Sequence, residues 1–416
     1  MTAPPLLRRD IGAVGSAFLA FNGIVGAGIF ALPGTLHAQF GAWSPWLFPL
    51  FSLLVLVVAA PIARVAAHHS ESGGPAAYAA AAFGPAAGFQ IGWVYYVARV
   101  TALAANANVF ATYLAAWLPL PRVLAMGALV ALITWVNVVG LRRAIRLLDA
   151  LTLLKALPLL LIGGWALVAF ADRIPAPGSA PELGGVEAAA LLILYAFVGF
   201  ENSLVPAGET ARPTRTIPRA LIATIVGTAL LYLLVQLAYV AVVPIGVAPE
   251  APLVAWGEAV AGPAGALLIT AAALASVAGN ISGSVTSTPR VTLALAEQGS
   301  LPAWFGQVSV RWGTPANSVL FMGAVGLLLA VTGSFVWLAV VSTLARLFVY
   351  AASILALPTL ERRRWTWPLM LPGLAICLWA AFQSEARSWI TLGVLLALGA
   401  VLYAVARLNG RSTSAH

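Results

Sequence analysis

The sequence predicts an all-α integral membrane protein of about twelve transmembrane helices, and three observations predict it. Of 416 residues, 61% are hydrophobic and only 8% are charged, with a mean hydropathy of +0.96; a soluble domain carries about a quarter charged residues. Runs of ~20 mainly apolar residues, the length a helix needs to cross the hydrocarbon core, recur from end to end. The basic residues, finally, fall on alternate loops between those runs, as expected when Lys and Arg stay on the cytoplasmic side.

The apolar runs lie at 11–33, 44–66, 84–118, 123–140, 147–170, 187–209, 218–244, 263–296, 316–333, 335–357, 367–384 and 389–407. Spans nine and ten are parted only by Thr332-Gly-Ser334. Arg8 and Arg9 before an apolar run resemble the start of a signal peptide, but the many spans that follow favour a retained first helix. With the N-terminus inside, sixteen of the 22 Lys and Arg face the cytoplasm. Only Arg122, Arg173 and Arg387 fall outside, and Arg99, Lys155 and Arg346 lie within spans. One misplaced span would invert everything after it, so this asymmetry supports the span count together with the orientation: both termini in the cytoplasm, in the cytoplasmic (inner) membrane. The net charge of +9 then reports topology, and no nucleic-acid partner is indicated. One cysteine, Cys377, and four scattered histidines offer no metal cluster. No soluble domain is apparent; the longest outer segments are 172–186 and 244–262, the second with a surface helix expected near 253–260.

Two spans are interrupted. Residues 22–33 read Asn-Gly-Ile-Val-Gly-Ala-Gly-Ile-Phe-Ala-Leu-Pro. Gly23, Gly26 and Gly28 sit where a lipid-facing helix prefers Leu or Ala, and glycine weakens a helix by roughly 1 kcal/mol relative to Ala. Broken helix is tolerated in a bilayer only where protein buries it or a wet cavity meets it; small residues at this spacing also serve close helix packing. Residues 194–206 of span six read Leu-Tyr-Ala-Phe-Val-Gly-Phe-Glu-Asn-Ser-Leu-Val-Pro. Laying Gly199 on Gly26 lays Pro206 on Pro33 at an offset of 173 residues. These are the first spans of two five-span units, and because five is odd the second unit must be inverted. Matched Gly/Pro-interrupted spans are the best sequence pointer to a transporter binding site. The chain accordingly divides into 1–172, 173–360 and a C-terminal pair of helices, 361–416.

Four motifs, in order and on the right spans, resemble the amino acid–polyamine–organocation (APC) superfamily over nearly the whole chain. They are Gly26-Ala-Gly-Ile-Phe30; Ala63-Arg64 with Glu71-Ser-Gly-Gly-Pro-Ala-Ala-Tyr78 and Phe83-Gly84; Phe197-Val-Gly-Phe-Glu201 with Gly208-Glu209-Thr-Ala-Arg-Pro-Thr-Arg-Thr-Ile-Pro-Arg219; and Pro289-Arg290 with Ala294-Leu-Ala-Glu-Gln-Gly-Ser-Leu-Pro302 and Gly313-Thr-Pro315. The resemblance implies a LeuT-like fold of five-plus-five inverted repeats with discontinuous helices 1 and 6. It implies a substrate carboxylate on the backbone of Val25, Gly26, Ala27 and Gly28. The ammonium would lie on the carbonyls of Ile24, Phe197 and Val198, beside Gly199 in the second break. Tyr195 matches an aromatic that covers the substrate from outside, unless it is a packing residue.

Lys155 lies inside span five, where a charge costs several kcal/mol unless partnered. Burial disfavours a charged ammonium, which lets such a lysine exchange protons. The resemblance places it beside broken span one and span eight, where it would couple protons or replace a sodium ion; otherwise it snorkels towards Arg146. Glu201 could relay protons, favour a cationic substrate or hold the break by accepting backbone N–H bonds. Glu209 is expected to pair with Arg212 or Arg215. Arg99 needs an acidic partner, with Glu201 and Glu209 available. Asn106, Asn108, Ser282, Ser284 and Ser287 line the path or bond between helices, and Arg346 has no assigned role.

These readings converge on a secondary active amino acid transporter working by alternating access. It would be coupled to protons rather than sodium, without a cofactor, and would need only its substrate and the bilayer, with no obligate protein partner indicated. An exchanger or exporter, or a polyamine or cationic amino acid transporter, stays open; a membrane enzyme or scaffold is disfavoured, since no acidic or histidine cluster lies at a membrane face. Ala, Gly and Val around the breaks lean towards a neutral, apolar substrate, while Glu201 leaves a cationic one open.

Overall fold

Every secondary-structure element among the described residues is a helix. The computed structural model describes residues 12–68, 74–139, 141–204, 210–246, 249–361 and 366–413. The first part of the chain forms α1 (Ala13–Ile24), α2 (Gly28–Phe40), α3 (Ser44–His68), α4 (Gly74–Phe83), α5 (Pro85–Ala115), α6 (Arg122–Val139) and α7 (Leu141–Ala169). After a loop come α8 (Leu183–Tyr195), α9 (Pro213–Val242), α10 (Pro252–Ser287), α11 (Pro289–Glu297), α12 (Ala316–Thr332), α13 (Phe335–Leu355) and the single turn α14 (Leu357–Leu360). The chain closes with α15 (Trp367–Phe382) and α16 (Ala386–Thr413).

Among the described residues seven stretches are long and apolar enough to cross a membrane, and four shorter apolar helices accompany them. Their outward faces carry exposed large apolar side chains such as Leu132, Trp135, Leu161, Trp165 and Leu230. Apolar surface on that scale suits lipid and not water. The protein is therefore a multi-pass membrane protein. The 31-residue α5 does not qualify by apolarity because it carries Arg99, Asn106 and Asn108. It is instead buried along most of its length, packed among α4, α10, α12 and α13, which is where a polar helix can sit inside a membrane protein.

Local sequence sets the boundaries. Proline at the first helical position opens α5, α9, α10 and α11, where its missing N–H costs nothing and its fixed φ suits the helix. Ser334 caps α13, accepting a bond from the Trp337 N–H at 3.3 Å, so the 332–334 boundary is a true helix junction. Residues 253–260 are helical, but as the first turns of α10 with Leu253 and Trp256 fully buried, not as a surface helix. A kink at Ala261 and Gly262 (φ 61°) before Pro263 redirects α10 into the bundle.

Of the two interruptions, the first parts α1 from α2 at residues 25–27, and α2 runs on through Pro33 to Phe40. In the second, α8 stops at Tyr195 and a short 3-10 turn, Phe200–Ser203, follows. Gly208, Glu209 and Pro206 lie outside the described residues, as do Arg8, Arg9, Glu71, Gly73 and Arg362 to Arg364.

Candidate functional site

The two interruptions cross. Gly199 has φ 117°, a left-handed conformation that favours glycine. A Cβ on it would lie 2.2 Å from the Gly23 carbonyl oxygen, and a Cβ on Gly23 would lie 2.2 Å from the Gly199 oxygen. Only glycine at both positions permits this approach. Gly26 and Gly28 are close-packed too, against Asn280 and Ala196 respectively, with a Cβ at 2.9 Å in each case.

At the first break Val25 turns to extended backbone (φ −76°, ψ 93°) while its N–H still bonds to the Phe21 carbonyl at 2.8 Å. Ala27 is helical again, and its carbonyl accepts from the Phe30 and Ala31 N–H groups. The Ala27 N–H donates to Asn106 Oδ1 at 3.2 Å. The N–H groups of Gly26 and Gly28 have no hydrogen-bond partner among the described residues. They stand at the N-terminus of α2, where the positive end of the helix dipole attracts anions. On the second break the carbonyls of Phe197 and Val198 are likewise free among the described residues, whereas the Ile24 carbonyl receives the Tyr232 hydroxyl at 3.4 Å.

Polar side chains hold the first break open from three directions. From α7, the fully buried Lys155 Nζ donates to Asn22 Oδ1 at 2.5 Å, to the Val25 carbonyl at 2.9 Å and to the Asn22 carbonyl at 3.4 Å. The Phe21 ring lies 5.6 Å from it. Lys155 thus points at the break and does not snorkel. From α10, Ser276 Oγ donates to the Val25 carbonyl at 3.2 Å, and Asn280 Nδ2 donates to the Gly23 and Asn22 carbonyls at 2.9 and 3.3 Å. From α5, Asn106 Nδ2 reaches the Tyr195 hydroxyl and Asn280 Oδ1, each at 3.4 Å.

A cavity of about 10 Å³, room for about one water, lies between the breaks. Gly23, Ile24 and Gly26 to Gly28 form one wall; Tyr195 and Val198 form another. Ala102 and Asn106 of α5, Asn280 of α10 and Arg346 of α13 close it. Of the residues expected at a binding site, Ile24, Gly26, Ala27, Gly28, Tyr195 and Val198 therefore meet around one space. Val25, Lys155, Phe197, Gly199 and Glu201 stand behind that surface. A larger crevice of about 480 Å³ between α1, α7 and α9 is almost wholly apolar and opens outward; it lacks the convergent polar groups of a zwitterion site.

Glu201 is engaged on all sides. Its Oε1 accepts from Arg346 Nε at 2.9 Å, and its Oε2 accepts from the Tyr350 hydroxyl at 2.7 Å and the Gly199 N–H at 2.9 Å. Among its expected roles, this geometry is that of a group holding the second break. Arg346, without an assigned role in the sequence, is its ion-pair partner. Arg99 instead has Thr288 Oγ1 at 3.4 Å; Glu209 is outside the described residues. Asn108 bonds to the carbonyls of Ala330 and Gly333 and so joins helices, while Ser287 bonds within α10. Ser276 and Asn280 were not anticipated. Their signal is the stripe Ser276, Asn280, Ser284, which at four-residue steps shares one face of α10.

Comparison with known proteins places the chain in a family. The family profile described as "Amino acid permease" matches residues 11–411. An uncharacterised transporter of Mycobacterium tuberculosis is 29% identical over 98% of this chain and 93% of its own length. A branched-chain amino acid permease of Bacillus subtilis is 27% identical over 95% and 92%, and a gamma-aminobutyric acid permease of the same species 26% over 76% and 70%. Together with the multi-pass fold, the match over nearly the whole chain means that this protein belongs to the amino acid permease family.

Proposed function

We propose that this chain is a secondary active amino acid transporter, working by alternating access and coupled to protons. In this reading it has twelve spans with both termini in the cytoplasm, arranged as a LeuT-like pair of inverted five-helix repeats with two added C-terminal helices. The observation that carries the reading is the crossing of two helix breaks around one small cavity. N–H groups of Gly26 and Gly28 that have no partner among the described residues meet it on one side, and Val198 of the second break, whose carbonyl has none among them either, lines it as well. A zwitterion has an anionic and a cationic end a few ångströms apart. The α2 N-terminus suits the carboxylate, and the carbonyls of Phe197 and Val198 suit the ammonium.

Proton coupling rests on Lys155. Its ammonium lies on the oxygens of Val25 and Asn22 at the first break, beside which the family resemblance puts a cation in sodium-coupled relatives, and no carboxylate lies within ion-pairing distance among the described residues. Losing its proton removes one of the three N–H donors that brace the first break and the charge that strengthens the other two, so protonation and the shape of the site are linked. The test is uptake of an amino-acid panel into proteoliposomes under imposed pH or sodium gradients. Accumulation is expected to follow an inward proton gradient and to ignore sodium. Absence of saturable uptake or exchange of every amino acid would refute the transport reading; dependence on sodium would refute the coupling.

A further inference from the structure

We propose that the substrate is an amino acid with an anionic side chain, selected by Arg346, with Arg99 supplying a second positive charge behind it. This inference rests on the amino acid transport reading above and names the substrate class of that same site.

The first support is a charge imbalance. Among the described residues the fully buried Arg, Lys, Asp and Glu are Arg99, Lys155, Arg346 and Glu201, three cations against one carboxylate. Charges inside a membrane protein are tolerated when they pair, and among these four described residues Arg346 and Glu201 do so. A cationic substrate would add a further positive charge to a site whose one acid already accepts from Arg346, Tyr350 and the Gly199 N–H. A substrate with a second carboxylate would correct the imbalance.

The second support is geometry. Arg346 reaches the cavity wall; Glu201 does not. A guanidinium has five N–H donors in a planar fork. The Nε of Arg346 is committed to Glu201, and Nη1 to Ser342 Oγ and the Ala98 carbonyl. Nη2 makes no hydrogen bond to a described residue, which leaves an N–H donor for a charge-assisted bond to a substrate carboxylate oxygen. Arg99 shares a face of α5 with Ala102 and Asn106, at i, i+3 and i+7, and both of those line the cavity. Its charge therefore stands about two turns of helix from Asn106 on the same face. Its described bond is the long one to Thr288, at 3.4 Å. With the α-carboxylate on the glycine N–H groups, the same small cavity is also lined by a guanidinium.

The experiment measures binding of glutamate, aspartate, leucine and arginine to the purified full-length protein by ligand-dependent thermal shift, and transport of each by counterflow in proteoliposomes. Glutamate or aspartate is expected to bind at least tenfold more tightly than leucine or arginine. The paired variant Glu201→Gln with Arg346→Gln removes both charges while keeping hydrogen-bonding side chains, and is expected to reduce that preference at least tenfold. Arg99→Gln, outside the cavity wall, is expected to weaken acid binding several-fold through its field alone. Equal or tighter binding of leucine or arginine by the unaltered protein overturns the inference, and so does an undiminished acid preference in the paired variant. If the paired variant does not fold, the panel on the unaltered protein decides. If no amino acid binds or moves at all, the transport reading itself has failed, a result distinct from transport without acid preference.

Discussion

Lys155 shows how one residue can tie chemistry to backbone shape. A buried ammonium without a carboxylate is a cost of several kcal/mol, offset here by three oxygens of the first break. Replacing it by Met keeps an unbranched chain of similar length and removes the charge. The Val25 carbonyl would still receive Ser276 Oγ, so Lys155→Met is expected to fold, with a stability change of about 1–3 kcal/mol at most from the bonds lost. Proton-driven accumulation should disappear while counterflow, which needs no gradient, persists. Uptake with and without an imposed pH gradient checks this; accumulation at the unaltered level would make Lys155 a structural brace only. An ionisable residue in an apolar span is conspicuous, which is why Lys155 could be singled out from sequence. What sequence withheld was direction: two helical turns separate Lys155 from cytoplasmic charge, and only packing decides that it turns to the break. Arg346 was equally visible and stayed without a role because its partner, Glu201, is distant in the chain and meets it only through the packing of α13 on the second break.

Among the elements, the breaks in α1–α2 and α8 are a matched device whose fit depends on bare backbone. Gly23→Val and Gly199→Ala each place carbon 2.2 Å from a carbonyl oxygen of the other break, where no flexible side chain can give way. Each is expected to force the breaks apart and to weaken amino acid binding at least tenfold, about 1.4 kcal/mol or more, read by ligand-dependent thermal shift on purified protein. Gly127→Ala in α6 is the control: nothing lies within 4 Å of its added Cβ, so alanine there should leave binding unchanged and stabilise the helix by up to about 1 kcal/mol. Tenfold-preserved binding in both break variants would show that the crossing is not needed. The Gly-to-Pro spacing aligned Gly199 with Gly26 as repeat equivalents and said nothing of which residues touch. In space it is Gly23 that meets Gly199, because contact is set by how two helix ends cross and not by an internal alignment. The polar stripe on α10 escaped notice for a related reason: Asn280 sits in a run of Ala, Gly, Ile and Ser whose facing has no reference until α1 is packed against it.

At the scale of the whole molecule, a cavity with room for about one water means that an amino acid can enter only if the bundle opens, and in the proposed mechanism it opens to each side in turn. That proposal depends on which loops face which compartment, and the arginine distribution makes a definite prediction. Residues 171–182, between α7 and α8, should face outward and carry one arginine, Arg173. The loop after α11, containing Arg311, should face the cytoplasm. Three proposed spans, containing α8, α9 and α10, separate the two loops, and an odd number places them on opposite sides. Ser179 and Val310 are both exposed, and the chain's only cysteine, Cys377, is buried, so Cys377→Ser gives a background for site-specific labelling. A membrane-impermeant maleimide applied to intact cells should label Ser179→Cys, and should label Val310→Cys only after the membrane is opened. The reversed pattern would invert the orientation while keeping the span count. Labelling of both from one side would break the odd count between them: α8, α9 and α10 would then not be three single crossings, and the second five-helix repeat, which needs each of them to span once, would fail with them.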